Sequence, residues 1–337
     1  MNNITITRYD LVTWCLFPGA LLLIVYFGLL PALFAGLLVY TLVKVLVPTL
    51  RAPAIGREVS SLLAVVLIAT VVIALITVAG LSLASFLRGS GESVPALIQR
   101  MAEIIEGSRD LLPPWLLEYL PENADALRNA LGDWLRNNTD TFQVAGAELG
   151  RALAHILIGM VIGALLSLES TVAGPQRGPL SLAFAHRSEY LATAFHRVVF
   201  AQVWISAINT TFTALYLALV LPAFGIELPF TKTLIMITFV AGLLPIIGNL
   251  ISNTVIFIVS LSQSLFVALA SLAYLIIIHK LEYFLNARII GIHIHARAWE
   301  MLIAMLVMEA VFGIPGLIAA PIYYAYMKEE LRVKGLV

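Results

Sequence analysis

Two long apolar stretches in the C-terminal half of the chain are each interrupted at mid-length by proline and glycine. In the first, residues 231–244 and 250–262 flank Pro245-Ile246-Ile247-Gly248-Asn249. In the second, residues 299–312 and 317–327 flank Gly313-Ile314-Pro315-Gly316. Each arm holds 11 to 14 residues. At about 1.5 Å per residue that is about 16–21 Å of helix, against a hydrocarbon core of about 30 Å that needs about twenty residues. Neither arm crosses comfortably alone. The backbone ends exposed at such breaks are tolerated at membrane depth only against protein or a polar cavity. The pattern predicts two helical hairpins built around a transport site, re-entrant by arm length, with two short full crossings each as the alternative.

The rest of the chain agrees with a bilayer as solvent. It is 61% hydrophobic and 12% charged, with a mean hydropathy of +0.97, and several runs exceed the apolar length a membrane helix requires. An all-α polytopic membrane protein is expected, with about eight hydrophobic segments counting each broken hairpin once. The formal net charge of zero gives no global field to recruit nucleic acid. One cysteine, Cys15, excludes an intrachain disulfide. No small-residue cleavage site separates the first apolar run from Pro31, so the first helix is read as a retained anchor.

Three regions follow: membrane helices over 1–88, an amphipathic helical segment over 89–148, and membrane helices with the two hairpins over 149–337. Residues 11–30 and 32–47 read as helices joined at Pro31, and 59–87 as a long helix. The middle segment turns soluble in composition. Leu97, Ile98, Met101, Ile104 and Ile105 share one helical face, as do Leu127, Leu131, Trp134 and Leu135. Residues 149–168 return to the membrane, 174–197 are polar and part helical, 198–221 span again, and 265–278, or 265–285 in a longer reading, span after the first hairpin. A polar link then leads to the second hairpin.

Charge orients the layout. Residues 90–148 hold ten acids against four arginines, whereas the other connections carry Lys44, Arg51, Arg57, Arg177, Arg187, Arg197, Lys280, Arg288, Arg297, Lys328, Arg332 and Lys334. By the positive-inside rule these face the cytoplasm, the acidic segment lies outside, and both termini are cytoplasmic. The first hairpin then enters from outside and the second from inside.

Three motifs, taken in order, carry a resemblance. They are Leu244-Pro245-Ile246-Ile247-Gly248, Leu281-Glu282-Tyr283-Phe284-Leu285-Asn286-Ala287-Arg288-Ile289-Ile290-Gly291, and Phe312-Gly313-Ile314-Pro315-Gly316-Leu317-Ile318-Ala319-Ala320-Pro321. With the layout around them they resemble the AI-2E family of bacterial transporters over nearly the whole chain. The resemblance implies a homo-oligomer of the bacterial inner membrane without organic cofactor, in a family linked to autoinducer-2 export and, for some members, to sodium–proton exchange. The chain departs from the family pattern at Asn249, Ala287 and Ala296, where members often have proline.

Among individual residues, Glu309 is the one acid well inside an apolar run, one turn before Gly313. A carboxylate there needs a cavity, a partner or a proton, so it reads as a cation- or proton-binding group or as an interfacial residue. Asn249, Ser252, Asn253 and Thr254 cluster beside the first apex. They are positioned either to bind a polar solute at a helix N-terminus or to cap it. Asn209, with Thr210 and Thr211, lies mid-helix and either lines a path or makes interhelical hydrogen bonds. Pro245, Gly248, Gly313, Pro315 and Gly316 shape the apices or act as hinges. Lys280, Glu282 and Arg288 form a salt-bridged boundary or a cytoplasmic gate. Lys232 is read as snorkelling. Gly146-x-x-x-Gly150 and Gly159-x-x-x-Gly163 are candidate helix-packing motifs. His293 and His295 are a weak metal pattern, and no metal is expected. Signatures of proteolysis, acyl transfer and nucleotide hydrolysis are missing, so the chain is read as a non-enzyme. The leading expectation is a secondary transporter moving a small solute, H+ or Na+, with a monovalent cation/proton antiporter, a passive pore and a membrane scaffold as alternatives.

Overall fold

The computed structural model describes residues 8–50, 56–87, 99, 103–104, 106–107, 124–169, 178–244, 247–294 and 297–336. Among the described residues the regular structure is helical throughout: α1 (Arg8–Tyr26), α2 (Leu30–Leu50), α3 (Arg57–Leu87), α4 (Ala124–Asn137), α5 (Thr139–Glu169), α6 (Pro179–Leu215), α7 (Thr231–Gly242), α8 (Ile247–Leu261), α9 (Leu265–Ile294), α10 (Ala298–Phe312) and α11 (Ile314–Val333). Four stretches are long and apolar enough to cross a membrane, namely Arg8–Tyr26, Leu30–Leu50, Thr139–Glu169 and Pro179–Ala223.

Both interrupted stretches are hairpins of two helices, α7 with α8 and α10 with α11. Elsewhere the boundaries differ from the sequence reading for local reasons. The first turn is made at Gly28 and not at Pro31. Gly28 has φ 69°, its N–H bonds to the Val25 carbonyl at 3.0 Å, and the Leu29 N–H reaches the Ile24 carbonyl at 2.9 Å, a Schellman cap. Pro31 then sits in the first turn of α2, where an N–H is not needed. The polar stretch before residue 198 is not a separate piece, because α6 runs unbroken for 37 residues. No glycine or proline lies between Leu180 and Leu215, and Leu191, Ala194 and Phe195 bury one face of its first half. Likewise the expected polar link is helix through Ile294, so Lys280, Glu282 and Arg288 lie within α9. The side chains of Glu282 and Arg288 lie outside the described residues, as do Leu97, Ile98, Met101, Ile105, Pro245 and His295.

The chain divides into two compact units, one of Met1–Thr77, Gly146–Phe200 and Ile289–Val337, the other of Val78–Ala145 and Ala201–Arg288. In the first unit Leu21, Leu191, Phe195, Ile322 and Tyr326 form a buried cluster that joins α1, α6 and α11. A second joins α2 and α3 through Val39, Val43, Ala64 and Ile68, with Met160 and Ala164 of α5 packed against it. The approach of α2 to α5 is set by small residues. A Cβ on Gly159 would lie 2.0 Å from the Ala32 carbonyl oxygen, and one on Gly163 would lie 2.2 Å from that of Gly36. Gly159-x-x-x-Gly163 is therefore a packing motif, with Ala32 and Gly36 as its counterpart. Among the described residues nothing lies within 4 Å of a Cβ on Gly146 or Gly150.

In the second unit Leu217, Leu234, Ile256, Val259, Val267 and Leu275 build the core from α7, α8, α9 and the turn after α6. That turn, Tyr216–Val220, is a π-helical segment in which the Leu221 N–H reaches back to Tyr216. Pro222 follows two residues later. Its ring would clash with the carbonyl four residues earlier in a regular helix, and the wider π turn relieves that crowding.

Candidate functional site

The site belongs to the second unit and begins with the carbonyls left over where α7 stops. A helix end leaves its last carbonyls without intrahelical partners, and in an apolar surrounding each must be met. Here α6 meets them. Gln202 Nε2 donates to the Gly242 carbonyl at 2.7 Å, and Ser206 Oγ donates to the Phe239 carbonyl at 2.6 Å. Gly248, in the first turn of α8, lets that helix start against the end of α7, since a Cβ there would lie 2.0 Å from the Ala241 carbonyl oxygen.

One turn further along α6, Asn209 Nδ2 donates to Asn249 Oδ1 at 3.0 Å. The Asn249 amide nitrogen faces His279 Nδ1 of α9 at 2.9 Å. Because Asn249 Oδ1 is taken up as acceptor, its nitrogen is the donor in this second contact, and Nδ1 accepts. Asn249 thus bridges α6, α8 and α9 at the break. Asn209 is 7% exposed and Ser252 2%, while Asn249 is half-buried and His279 exposed. The bridge therefore has a dry side and an open side. Ser252 Oγ lies 3.4 Å from the Asn249 carbonyl, a long contact. Asn253 is half-buried and Thr254 exposed.

Gln202, Ser206, Asn209, Thr213 and Tyr216 follow one another at steps of four, three, four and three, so they form one polar seam along α6 and into the π turn. Below the amides, Tyr216 Oη and Ser271 Oγ are 3.0 Å apart, and Ser260 Oγ donates to Ser271 Oγ at 3.0 Å. The Tyr216 and Tyr274 rings stack at 4.1 Å and 12°, and Tyr274 Oη donates to the Phe212 carbonyl at 3.0 Å. Thr213 is fully buried and its hydroxyl has no hydrogen-bond partner among the described residues.

Of the other sequence candidates, Lys232, Lys280, Glu282 and Arg288 lie in the second unit, and Glu309 with the second apex lies in the first. Glu309 is on the exposed side of α10, and its carbonyl accepts the Gly313 N–H at 2.7 Å. Among the described residues its carboxylate has no ion pair. Leu306 and Val311 near it are 67% and 66% exposed, so this face is apolar apart from the acid. Gly313 has φ 64° and ψ −146°, a region open in practice only to glycine. Pro315 occupies the first turn of α11, and a Cβ on Gly316 would lie 2.0 Å from the Met308 carbonyl oxygen.

Sequence reasoning named Asn209, Asn249 and Ser252, which the structure brings together. It missed Gln202, Ser206 and His279. The seam's period of about 3.5 was the available signal, and it was hidden because Gln202 and Ser206 stand among aromatic and aliphatic neighbours. It also missed a buried ionic cluster in the first unit. Arg187, 2% exposed, lies 3.0 Å through Nε from Glu330 Oε1 but off the line of its N–H, and 3.7 Å through a terminal nitrogen from Asp10 Oδ1. Trp14 Nε1 donates to Glu330 Oε1 at 2.6 Å, Tyr326 donates to Oε2, and Lys334 pairs with Asp10 at 3.3 Å.

Apolar helices of spanning length, two broken hairpins and a polar seam at a helix break define a multi-pass α-helical membrane protein. The pattern of the AI-2E family transporters matches residues 11–334, nearly the whole chain, and the chain belongs to that family. Comparison with curated proteins and with solved structures gives no match.

Proposed function

We propose that the chain is a secondary transporter of the bacterial inner membrane that holds a small polar solute or a coupling ion at the break between α7 and α8. The observation that carries this reading is the Asn209–Asn249–His279 bridge. It is a set of neutral donors and acceptors fixed at the end of two short helices, buried on the Asn209 side and accessible on the His279 side. Broken helices with polar side chains at their ends are where transporters bind cargo at membrane depth. Amides and an imidazole supply hydrogen bonds without fixed charge. They fit a hydroxylated solute, such as the family name indicates, or a monovalent cation held by amide and carbonyl oxygens. Glu309, an acid on an apolar face, supplies a separate candidate for the proton or cation. Both termini and the Lys280 region face the cytoplasm in this reading, residues 90–148 face outward, and the functional unit is a homo-oligomer.

The test is flux through purified protein in liposomes under imposed proton and sodium gradients, for the native chain and for Asn249→Ala. Saturable, gradient-driven flux that the substitution abolishes supports the reading. Flux that rises without saturation makes the chain a passive pore, and undiminished flux in Asn249→Ala removes the site.

A further inference from the structure

The first unit contains a cavity of about 650 Å³ between α1, α10 and α11, with a second of about 330 Å³ beside it. Along α10 the larger cavity is lined by Glu300, Ile303, Ala304, Val307 and Met308, one helical face. Its depth over those eight residue steps is about 12 Å at about 1.5 Å each. Leu21 and Leu22 of α1 and Ala320 of α11 face it across this depth. Its charged groups are Glu300, paired with Tyr324, and Glu330, paired with Trp14, while the Tyr323 hydroxyl further along is taken up by the Leu21 carbonyl at 3.0 Å. Trp299 and Lys328 join Glu300 and Tyr324 in the smaller cavity. Tryptophan and tyrosine mixed with charge mark the headgroup level of a bilayer, and aliphatic lining marks the hydrocarbon level. An apolar cavity offers water too few partners to hold it.

The unused hydrogen-bonding capacity around these charges specifies a headgroup. Glu330 has both carboxylate oxygens engaged, Oε1 by the Trp14 N–H and the Arg187 ion pair and Oε2 by Tyr326. Glu300 has only one engaged. Its three donors, the Arg297 N–H, the Tyr324 hydroxyl and the Lys328 ammonium, all converge on Oε2, and Oε1 has no donor among the described residues. Lys328 carries three N–H donors, with Glu300 and, at 3.5 Å, the Tyr324 hydroxyl as its described acceptors. The pair is neutral overall. A purely anionic headgroup meets Glu300 and a purely cationic one meets Lys328. A zwitterion answers both if its cation donates N–H to Glu300 Oε1 and its phosphate accepts from Lys328. A quaternary ammonium has no N–H to donate.

We propose that this groove is a binding site for one phospholipid with a primary-ammonium headgroup of the phosphatidylethanolamine type, its acyl chain along α10 and its headgroup on Glu300 and Lys328. The site is independent of the solute held at the first hairpin.

The experiment uses full-length protein in detergent, stripped of lipid. Lipids with the same acyl chains and ethanolamine, choline or glycerol headgroups are added back. Binding is read by native mass spectrometry and by the shift in unfolding temperature. The ethanolamine lipid is expected to bind at least about tenfold more tightly than the choline lipid, the size of one charge-assisted hydrogen bond. Glu300→Gln is expected to erase most of that preference while retaining general lipid binding. Ala304→Phe, which fills the groove below an intact Glu300–Lys328 pair, is expected to abolish binding of all three. Equal affinity for the three lipids, an unchanged preference in Glu300→Gln, or full binding in Ala304→Phe each overturns the proposal. So does ready cross-linking of the Ala304→Cys variant to a second copy of the chain, because the groove is then covered by protein.

Discussion

Replacing Asn249 by alanine separates a binding role from a packing role, because the two make different numerical demands. The side chain takes part in two hydrogen bonds, at 3.0 Å with Asn209 and 2.9 Å with His279. Leaving a buried polar group unsatisfied costs about 1–3 kcal/mol. His279 is exposed and recovers partners, whereas Asn209, 7% exposed, does not, so one full penalty is expected and not two. Interhelical hydrogen bonds within membranes average about 0.6 kcal/mol and reach about 1.7, which places the expected loss at about 1–2 kcal/mol. Against a stability of about 5–15 kcal/mol the variant stays folded. Denaturant unfolding in detergent should therefore shift modestly, and a double-mutant cycle with Asn209→Ala should return a coupling of about 0.6–1.7 kcal/mol. Flux in proteoliposomes should fall by about tenfold or more, since the bridge across α6, α8 and α9 is lost in the folded protein. Flux that falls only in proportion to the folded fraction would refute the binding role, and zero coupling would refute the hydrogen bond itself.

Glu309→Gln should leave the unfolding temperature within a few degrees of native and uncouple flux from the proton or sodium gradient; unchanged coupling assigns Glu309 to an interface instead. Arg187→Met and Glu330→Met should each destabilise by about 3–5 kcal/mol, while the double variant recovers much of the loss because no charge stays buried alone. Equal losses in all three would show that the cluster contributes through packing. Gly159→Leu must push α5 away from the Ala32 backbone and should destabilise by about 1–3 kcal/mol or more, whereas Gly150→Leu, with open space, should be silent in the same melt. Gly313→Ala should cost about 1–3 kcal/mol through its φ of 64°, read as a lower unfolding midpoint without loss of expression.

The sequence by itself determined what depends on local chemistry and on the solvent. Runs of apolar residues longer than a globular core requires fix a helical membrane protein, since only internally hydrogen-bonded segments survive in hydrocarbon. Glycine at the two apices fixes how the hairpins turn, because Gly313 holds a φ of 64° closed to other residues and Gly248 lets α8 start against the end of α7. Asn249 was legible for the same reason, as a polar residue at a helix start. Helix continuity was less legible. Residues 180–197 and 279–294 carry many polar groups yet remain helix, because polarity alone does not end a helix and the one glycine among them, Gly291, is tolerated within it. Only the tertiary structure could decide partnership. It chose Gly159 and Gly163 over Gly146 and Gly150 as the packing pair, joined Arg187 to Asp10 and Glu330 across the chain, and brought His279 and Asn209 to the two sides of one amide. A hydrogen bond depends on a few ångströms between residues tens of positions apart, and periodicity along one helix carries no information about which neighbour stands opposite.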